Sequence, residues 1–209
     1  ILWFGLFGFN AVSALAANGV AALALVNTHN EAAVGATVWA GIEWLKLGKP
    51  TALGAASGLV AGLVVITPAA GFIAPMSAIA LGALAGSGCL VGVWLKSKLG
   101  YDDALDAFGI HGVGGTLGAL ATGVFATAAV NAAGKDGLLA GGGGVLVEQA
   151  IAVVATAAYS VSVTFVLLVV LDKLMGLRVP EDVEREGLDT NLHGEQGYIA
   201  GGTGGRYAH

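Results

Sequence analysis

Charge is scarce in this chain. Only 11% of its 209 residues are Asp, Glu, Lys or Arg, and an ordinary soluble domain carries about twice that share. Hydrophobic residues make up 56%, which excludes disorder. Basic residues are the scarcer sign, nine Lys and Arg against fourteen Asp and Glu, and they form no block along which a nucleic-acid backbone could run. One cysteine, Cys89, excludes a disulfide within the sequence and a thiolate metal site. Proline is rare as well, four residues against thirty-five glycines. That much glycine is costly in soluble helices but suits helices whose backbones approach closely in lipid. The composition points to a membrane protein.

What is present is a series of uncharged runs. Between Pro50 and Leu95 there is no charged residue, and Pro68, Gly71 and Pro75 split that stretch into two pieces near the length that crosses a bilayer. A second uncharged run covers 107–134, and a third covers 137–171 with Glu148 near its start. Residues 1–42 carry one charge, Glu31, and the small or polar residues Asn10, Ser13 and Asn18 divide that region into a short and a long helix. The expectation is an all-α membrane protein with six transmembrane helices. Lys46, Lys49, Lys96, Lys98, Lys173, Arg178, Arg185 and Arg206 fall on one side of such a map and Lys135 alone on the other. Cytoplasmic loops hold the Lys/Arg excess, so the C-terminus is expected in the cytoplasm and the first helix runs outward. Hydrophobic sequence begins at Ile1 with no initiator Met or signal peptide, so the chain is expected to start inside a larger protein. Glycines at 54, 58 and 62, at 82 and 86, at 88 and 92, and at 114 and 118 recur every four residues and predict close helix packing.

Polar residues within these runs are the functional candidates, because an ionisable group at mid-membrane costs about 2.5 to 3.5 kcal/mol even on insertion scales. His111 is the clearest. Asp103 reads as the N-cap of its helix with Asp106 one turn on, which puts His111 two turns in, on a face with Ala107, Gly114, Gly115 and Gly118. A histidine bonded to a neighbouring helix carbonyl is the plain alternative, and within a membrane span a pathway residue is favoured over it. A metal site would need further ligands, yet His29 lies on another helix and His193 and His209 in the tail. No serine has the strained elbow or base partner of a nucleophile. Phe9 and Ser13, four residues apart, could present a ring and a hydroxyl to one cation, but taken alone the pair is better explained by interfacial anchoring and a serine bonded to its own helix. Glu31, one turn after Asn27, is expected to pair within the bundle, with a subunit-interface role second.

Four segments, FGLFGFNAVSALAANGVAALALVNTH, GKPTALGAASGLVAGLVVITPAAG, DDALDAFGIHGVGGTLGALATGVFA and GLRVPEDVEREGLDTNLHGE, resemble in order and spacing the C-terminal half of ammonium transporters of the Amt/MEP/Rh family. The resemblance implies an eleven-helix protomer of two inverted repeats plus a long final helix, assembled as a homotrimer with one pore per subunit in the plasma membrane. This chain would supply helices six to eleven, with residues 1–175 as the transmembrane domain and 176–209 as a cytoplasmic tail. It also implies roles. Ser13 matches the serine of an outer ammonium site, Phe9 one of two stacked gate rings, and His111 one of twin pore histidines. Leu2 and Val60 match apolar wall positions, Thr67 a polar position near the pore, and Asp106 an acid at the cytoplasmic end of the histidine helix. No cofactor is implied.

In that scheme ammonium leaves its proton outside and ammonia crosses. An idealised bare ion in a low-dielectric medium costs of order 20 kcal/mol, whereas ammonia loses only hydrogen bonds that an imidazole can replace. The tail is implied to be ordered through Tyr198, to couple subunits, and in many relatives to work beside a PII-type signalling protein. Glycine repetition after Gly201 suggests a frayed end. Leu6 replaces a common Trp, Val12 a common Gly, and His29-Asn30-Glu31 a small apolar stretch. An ammonium sensor of the same fold is the alternative function. A membrane enzyme would need clustered ligands or a nucleophile with its base, and a water or glycerol channel would carry paired Asn-Pro-Ala motifs, which are absent.

Overall fold

The computed structural model describes residues 1–195 and residue 197, and these form helices and turns with no strand among them. The order is α1 (Leu2–Val12), α2 (Gly19–Leu47), α3 (Ala52–Ile66), α4 (Pro75–Leu99), a π-helical turn (Phe108–Gly112) continuing into α5 (Val113–Phe125), a short 3₁₀ turn (Leu138–Ala140), α6 (Gly144–Met175), α7 (Glu181–Glu186) and a second π-helical turn (Asp189–His193). Two compact units divide the chain, Ile1–Ala157 and Ala158–His209, and α6 runs from one into the other.

Helices start and stop where local chemistry directs. Asn18 accepts from the Ala21 N–H at 3.0 Å and Thr51 accepts from the Gly54 N–H at 2.9 Å, each meeting a donor that the first turn leaves free. Pro75 opens α4, where its missing N–H costs nothing. Gly48 and Gly100 end α2 and α4 in the left-handed conformation at φ of 78° and 70°. The uncharged run at 107–134 is helical only to Phe125. Beyond it the chain turns, held by Thr127 N–H to the Phe72 carbonyl at 2.9 Å and by Ala128 N–H to the Asp136 carboxylate at 2.8 Å.

Within the first unit α2, α3 and α4 pack through glycine. A Cβ at Gly62 would lie 2.8 Å from the Ala32 Cα, and one at Gly86 would lie 2.7 Å from the Gly35 carbonyl oxygen, so these backbones touch only because no side chain intervenes. Gly92 closes on Gly109 in the same way, and Gly118 on the Val65 carbonyl. The anticipated stripes are thus contact surfaces. Ile66, Ile73, Leu81, Ala85 and Cys89 fill the fully buried core around them.

Pro75–Leu99, Phe108–Phe125 and Gly144–Met175 are long and apolar enough to cross a membrane; α1 and α3 are apolar but shorter. α2, at 29 residues, is long enough but carries Glu31, Glu43 and Lys46. In the second unit α7 is laced by ion pairs of Arg178 with Glu184 at 3.2 Å and of Arg185 with Glu181 at 2.6 Å. Tyr198, the glycines from Gly201, Arg206 and His209 lie outside the described residues.

Candidate functional site: an apolar cavity beside His111

Three elements converge on one cavity of about 370 Å³. Leu2 comes from α1, Val60 and the C-cap residue Thr67 from α3, and His111 from the π-helical turn. Leu6, Leu63, Val64, Pro68, Gly115 and Ala119 complete the wall. Apart from Thr67 and His111 these side chains are hydrocarbon or absent. The Thr67 hydroxyl donates to the Leu63 carbonyl at 2.7 Å, so its proton is already used within its own helix. The His111 ring makes no hydrogen bond to a described residue, so the carbonyl-bonded histidine weighed from sequence is not what forms. It offers one donor and one acceptor to whatever enters when neutral.

The helix carrying His111 differs from the sequence expectation. Its start lies later, and His111 sits in the first turn rather than two turns in. Asp103 does cap it, its carboxylate accepting from the N–H groups of Ala107 and Phe108, both at 2.9 Å. Asp106, expected within the first turn, instead stands just before it with φ of 56°. A left-handed conformation costs roughly 1–2 kcal/mol at most residues and less at Asp, whose short side chain can hydrogen-bond locally. Lys96 offsets this by pairing with the Asp106 carboxylate and donating to the Asp103 carbonyl at 2.8 Å. The π turn accommodates an extra residue and shifts the register after it. After the turn His111 shares its face with Gly115, as expected, and with Ala119, four and eight residues on. Gly114 and Gly118, expected beside it, close on α3 and on Cys89. A Cβ at Gly115 would meet nothing within 4 Å, because that glycine faces the cavity.

A second cavity of about 140 Å³ adjoins the first through Thr67 and Pro68, which line both. Ser13, Asn10, Phe72 and Asn131 also line it. Phe9 does not, and its ring is exposed. The Ser13 hydroxyl donates to the Phe9 carbonyl at 2.7 Å, as a serine near a helix end commonly does.

Buried amides fix the turn between α3 and α4 against both cavities. Asn27 donates to the carbonyls of Ala70 and Ile73 at 2.8 and 2.9 Å, and Asn131 donates to Gly71 at 3.1 Å. Asn10 donates to the Thr28 hydroxyl at 2.9 Å. Glu31 is fully buried, and neither carboxyl oxygen has a hydrogen-bond partner, so the expected pairing within the bundle does not occur. Its backbone carbonyl lies against Gly62 and Gly82, where α2 closes on α3 and α4. His29 stacks on Trp3 at 5.2 Å and on Phe7 at 6.0 Å. Glu43 was overlooked in the sequence. It accepts from the Trp39 ring N–H and from both the backbone and hydroxyl of Thr51, and thereby joins the end of α2 to the start of α3. Among the described residues His, Cys, Asp and Glu do not gather in threes that could hold a metal ion.

Comparison with known proteins follows the same outline. A family model described as the Ammonium Transporter Family matches residues 1–198. An ammonium transporter of Bacillus subtilis is 50% identical over 199 residues, which is 95% of this chain and 49% of the relative. The crystal structure of Saccharomyces cerevisiae Mep2 superposes with a TM-score of 0.83 at 39% identity, over 87% of this chain and 42% of that one. A structure titled Sensor Amt Protein gives a TM-score of 0.81 at 30% identity, over 91% and 46%. The chain spans about half the length of the curated relatives it matches.

Proposed function

Because the chain belongs to the ammonium transporter family, we propose that it contributes the second half of an ammonium-conducting protomer, with the cavity beside His111 as its share of the pore. The convergence of Leu2, Val60, Thr67 and His111 from three separate elements on one apolar cavity carries this reading. In it, α1 to α6 are helices six to eleven of an eleven-helix inverted-repeat fold. Residues 1–175 form the membrane domain and 176–209 a cytoplasmic tail of a homotrimer in the plasma membrane.

Mechanism follows from desolvation. A cavity walled by Leu2, Leu6, Val60, Leu63 and Val64 cannot replace the hydration of a cation, so ammonium must give its proton to water outside before ammonia enters. Ammonia then needs only a hydrogen-bond partner, and the imidazole of His111 supplies both a donor and an acceptor. Recruitment precedes this step at an outer site to which Ser13 belongs, where aromatic rings add roughly 0.5 to 2 kcal/mol of cation–π attraction each, and Phe9 is one of the two gate rings beneath it. For the hydroxyl to join, Ser13 must present its free lone pairs, since its proton is committed to Phe9. Asp106 lies at the cytoplasmic mouth, and a PII-type protein is the partner expected at that face.

The test is methylammonium uptake in the assembled transporter with His111→Ala and His111→Glu. A loss or change of selectivity in both supports the reading; wild-type rate and selectivity in both would refute it. A second reading, an ammonium sensor of the same fold, is favoured by the likeness to the Sensor Amt Protein. Absence of flux from a correctly assembled protein that still binds ammonium would select it.

A further inference from the structure

We propose that Lys96 is a positioning residue for His111, acting through Asp106 and the π-helical turn. The proposal rests on the transport reading for its consequence and on the geometry of the turn for its substance.

Lys96 occupies the last turn of α4 and is only 21% exposed in its side chain. Its ammonium group reaches the two acids that set the start of the histidine helix. It pairs with the carboxylate of Asp106 and donates to the carbonyl of Asp103. These two acids divide the work. Asp103 caps the first two free N–H groups of the turn with its carboxylate. Asp106, held left-handed, offers its carbonyl to the Ile110 N–H at 2.9 Å, immediately before His111. One cation therefore stabilises both the cap and the unusual backbone angle.

The other side of the turn is fixed by the same helix. Gly109 lies so close to Val93 that a Cβ would sit 2.9 Å from the Val93 nitrogen, and Cys89 approaches the Ile110 carbonyl at 3.7 Å. The turn is thus clamped between the backbone of α4 at 89–93 and the Lys96 head group a turn further on. π turns are uncommon and concentrate at functional sites, because they are less favourable than the α register and persist only when their surroundings hold them. Here the surroundings include one removable contact. Without the ammonium group, Asp106 has lost what offset its backbone angle, and relaxation by one residue would swing the His111 ring by about 100° around the helix axis, away from the cavity wall that Val60 and Val64 of α3 supply.

An ordinary surface ion pair would predict little beyond a small stability change. Positioning predicts a fall in turnover with recruitment intact. The experiment compares methylammonium uptake by wild type, Lys96→Met, Lys96→Arg and Asp106→Asn in proteoliposomes of the assembled transporter. It also follows hydrogen exchange of the backbone amides at 107–112.

Lys96→Met should lower Vmax about tenfold with KM within about twofold, as expected when a reacting group is displaced rather than a binding group lost. Lys96→Arg should recover most of the rate, and exchange at 107–112 should quicken in Lys96→Met alone of these two. Wild-type Vmax in Lys96→Met, or an arginine variant as impaired as the methionine variant, would overturn the proposal. If Lys96→Met does not reach the membrane, Asp106→Asn decides. Asparagine tolerates the left-handed angle, so this variant should fold; it removes the charge that holds Lys96 against the Asp103 carbonyl, so the clamp on the turn loosens and turnover should fall, and full turnover there would equally overturn the proposal. If the wild type carries no methylammonium, the transport reading fails, and hydrogen exchange alone judges the clamp: faster exchange in Lys96→Met upholds it and unchanged exchange refutes it.

Discussion

Helices α3 and α6 are both strongly apolar, yet they are used in opposite ways. Seven of the fifteen residues of α3 are buried, three of them glycines, and α6 has no buried residue along its thirty-two. α3 reads Gly54, Gly58 and Gly62 on the side that meets α2. α6 between residues 151 and 171 has no glycine and carries Val, Leu, Phe and Tyr around its whole circumference. Apolar composition alone therefore does not say what a helix touches. In lipid the small residues mark the protein side, because hydrocarbon tails satisfy large side chains as well as a neighbouring helix does. An apolar helix with every face exposed is suited to lipid or to another chain.

This contrast can be broken by substitution. The largest expected effect is at Gly62, where a methyl group would enter the α2 backbone. Gly62→Ala should destabilise the protein by about 3 kcal/mol, since backbone cannot yield as a side chain can. Thermal unfolding in detergent would show it. Asn27→Leu should cost about 2 kcal/mol by stranding the carbonyls of Ala70 and Ile73, measured in the same way. Glu31→Met should go in the other direction and stabilise by about 1 kcal/mol, because it removes two carboxyl oxygens that no donor satisfies. A clear loss of stability there would show that Glu31 has a partner in the assembled protein. Val166→Ala, on exposed α6, should change unfolding by less than about 0.5 kcal/mol. A larger change would mean that α6 packs against protein rather than lipid.

Much of the helical layout was legible because the signals are local. Pro68 and Pro75 bracket the break between α3 and α4, the Asn18 side chain opens α2, and the fourfold glycine spacing marks contact faces without any knowledge of the partner. The convergence of Leu2, Val60, Thr67 and His111 became readable only through the family resemblance, since nothing in their spacing brings three elements together. What stayed hidden depends on distant partners or on backbone angles. The left-handed Asp106 and the π turn are such features, since a helical wheel drawn at regular pitch cannot foresee an inserted residue, whereas Gly115, four residues on from His111, was expected beside it and is found there. Glu43 was missed because its role is to accept from Thr51 across a turn. Glu31 was expected to pair because a buried acid usually does, but no donor among the described residues reaches its carboxyl oxygens, and nothing in the local sequence says so.

The central claim is that the cavity beside His111 is the path of the transported species, and Gly115 permits the most direct test. Its position faces open space, so Gly115→Leu should fold normally and fill the cavity. Gly41→Leu, at another glycine with nothing within 4 Å, serves as the control. Methylammonium flux through the assembled transporter should fall to background in Gly115→Leu and stay at the wild-type rate in Gly41→Leu. Wild-type flux through Gly115→Leu at equal membrane level would contradict the account.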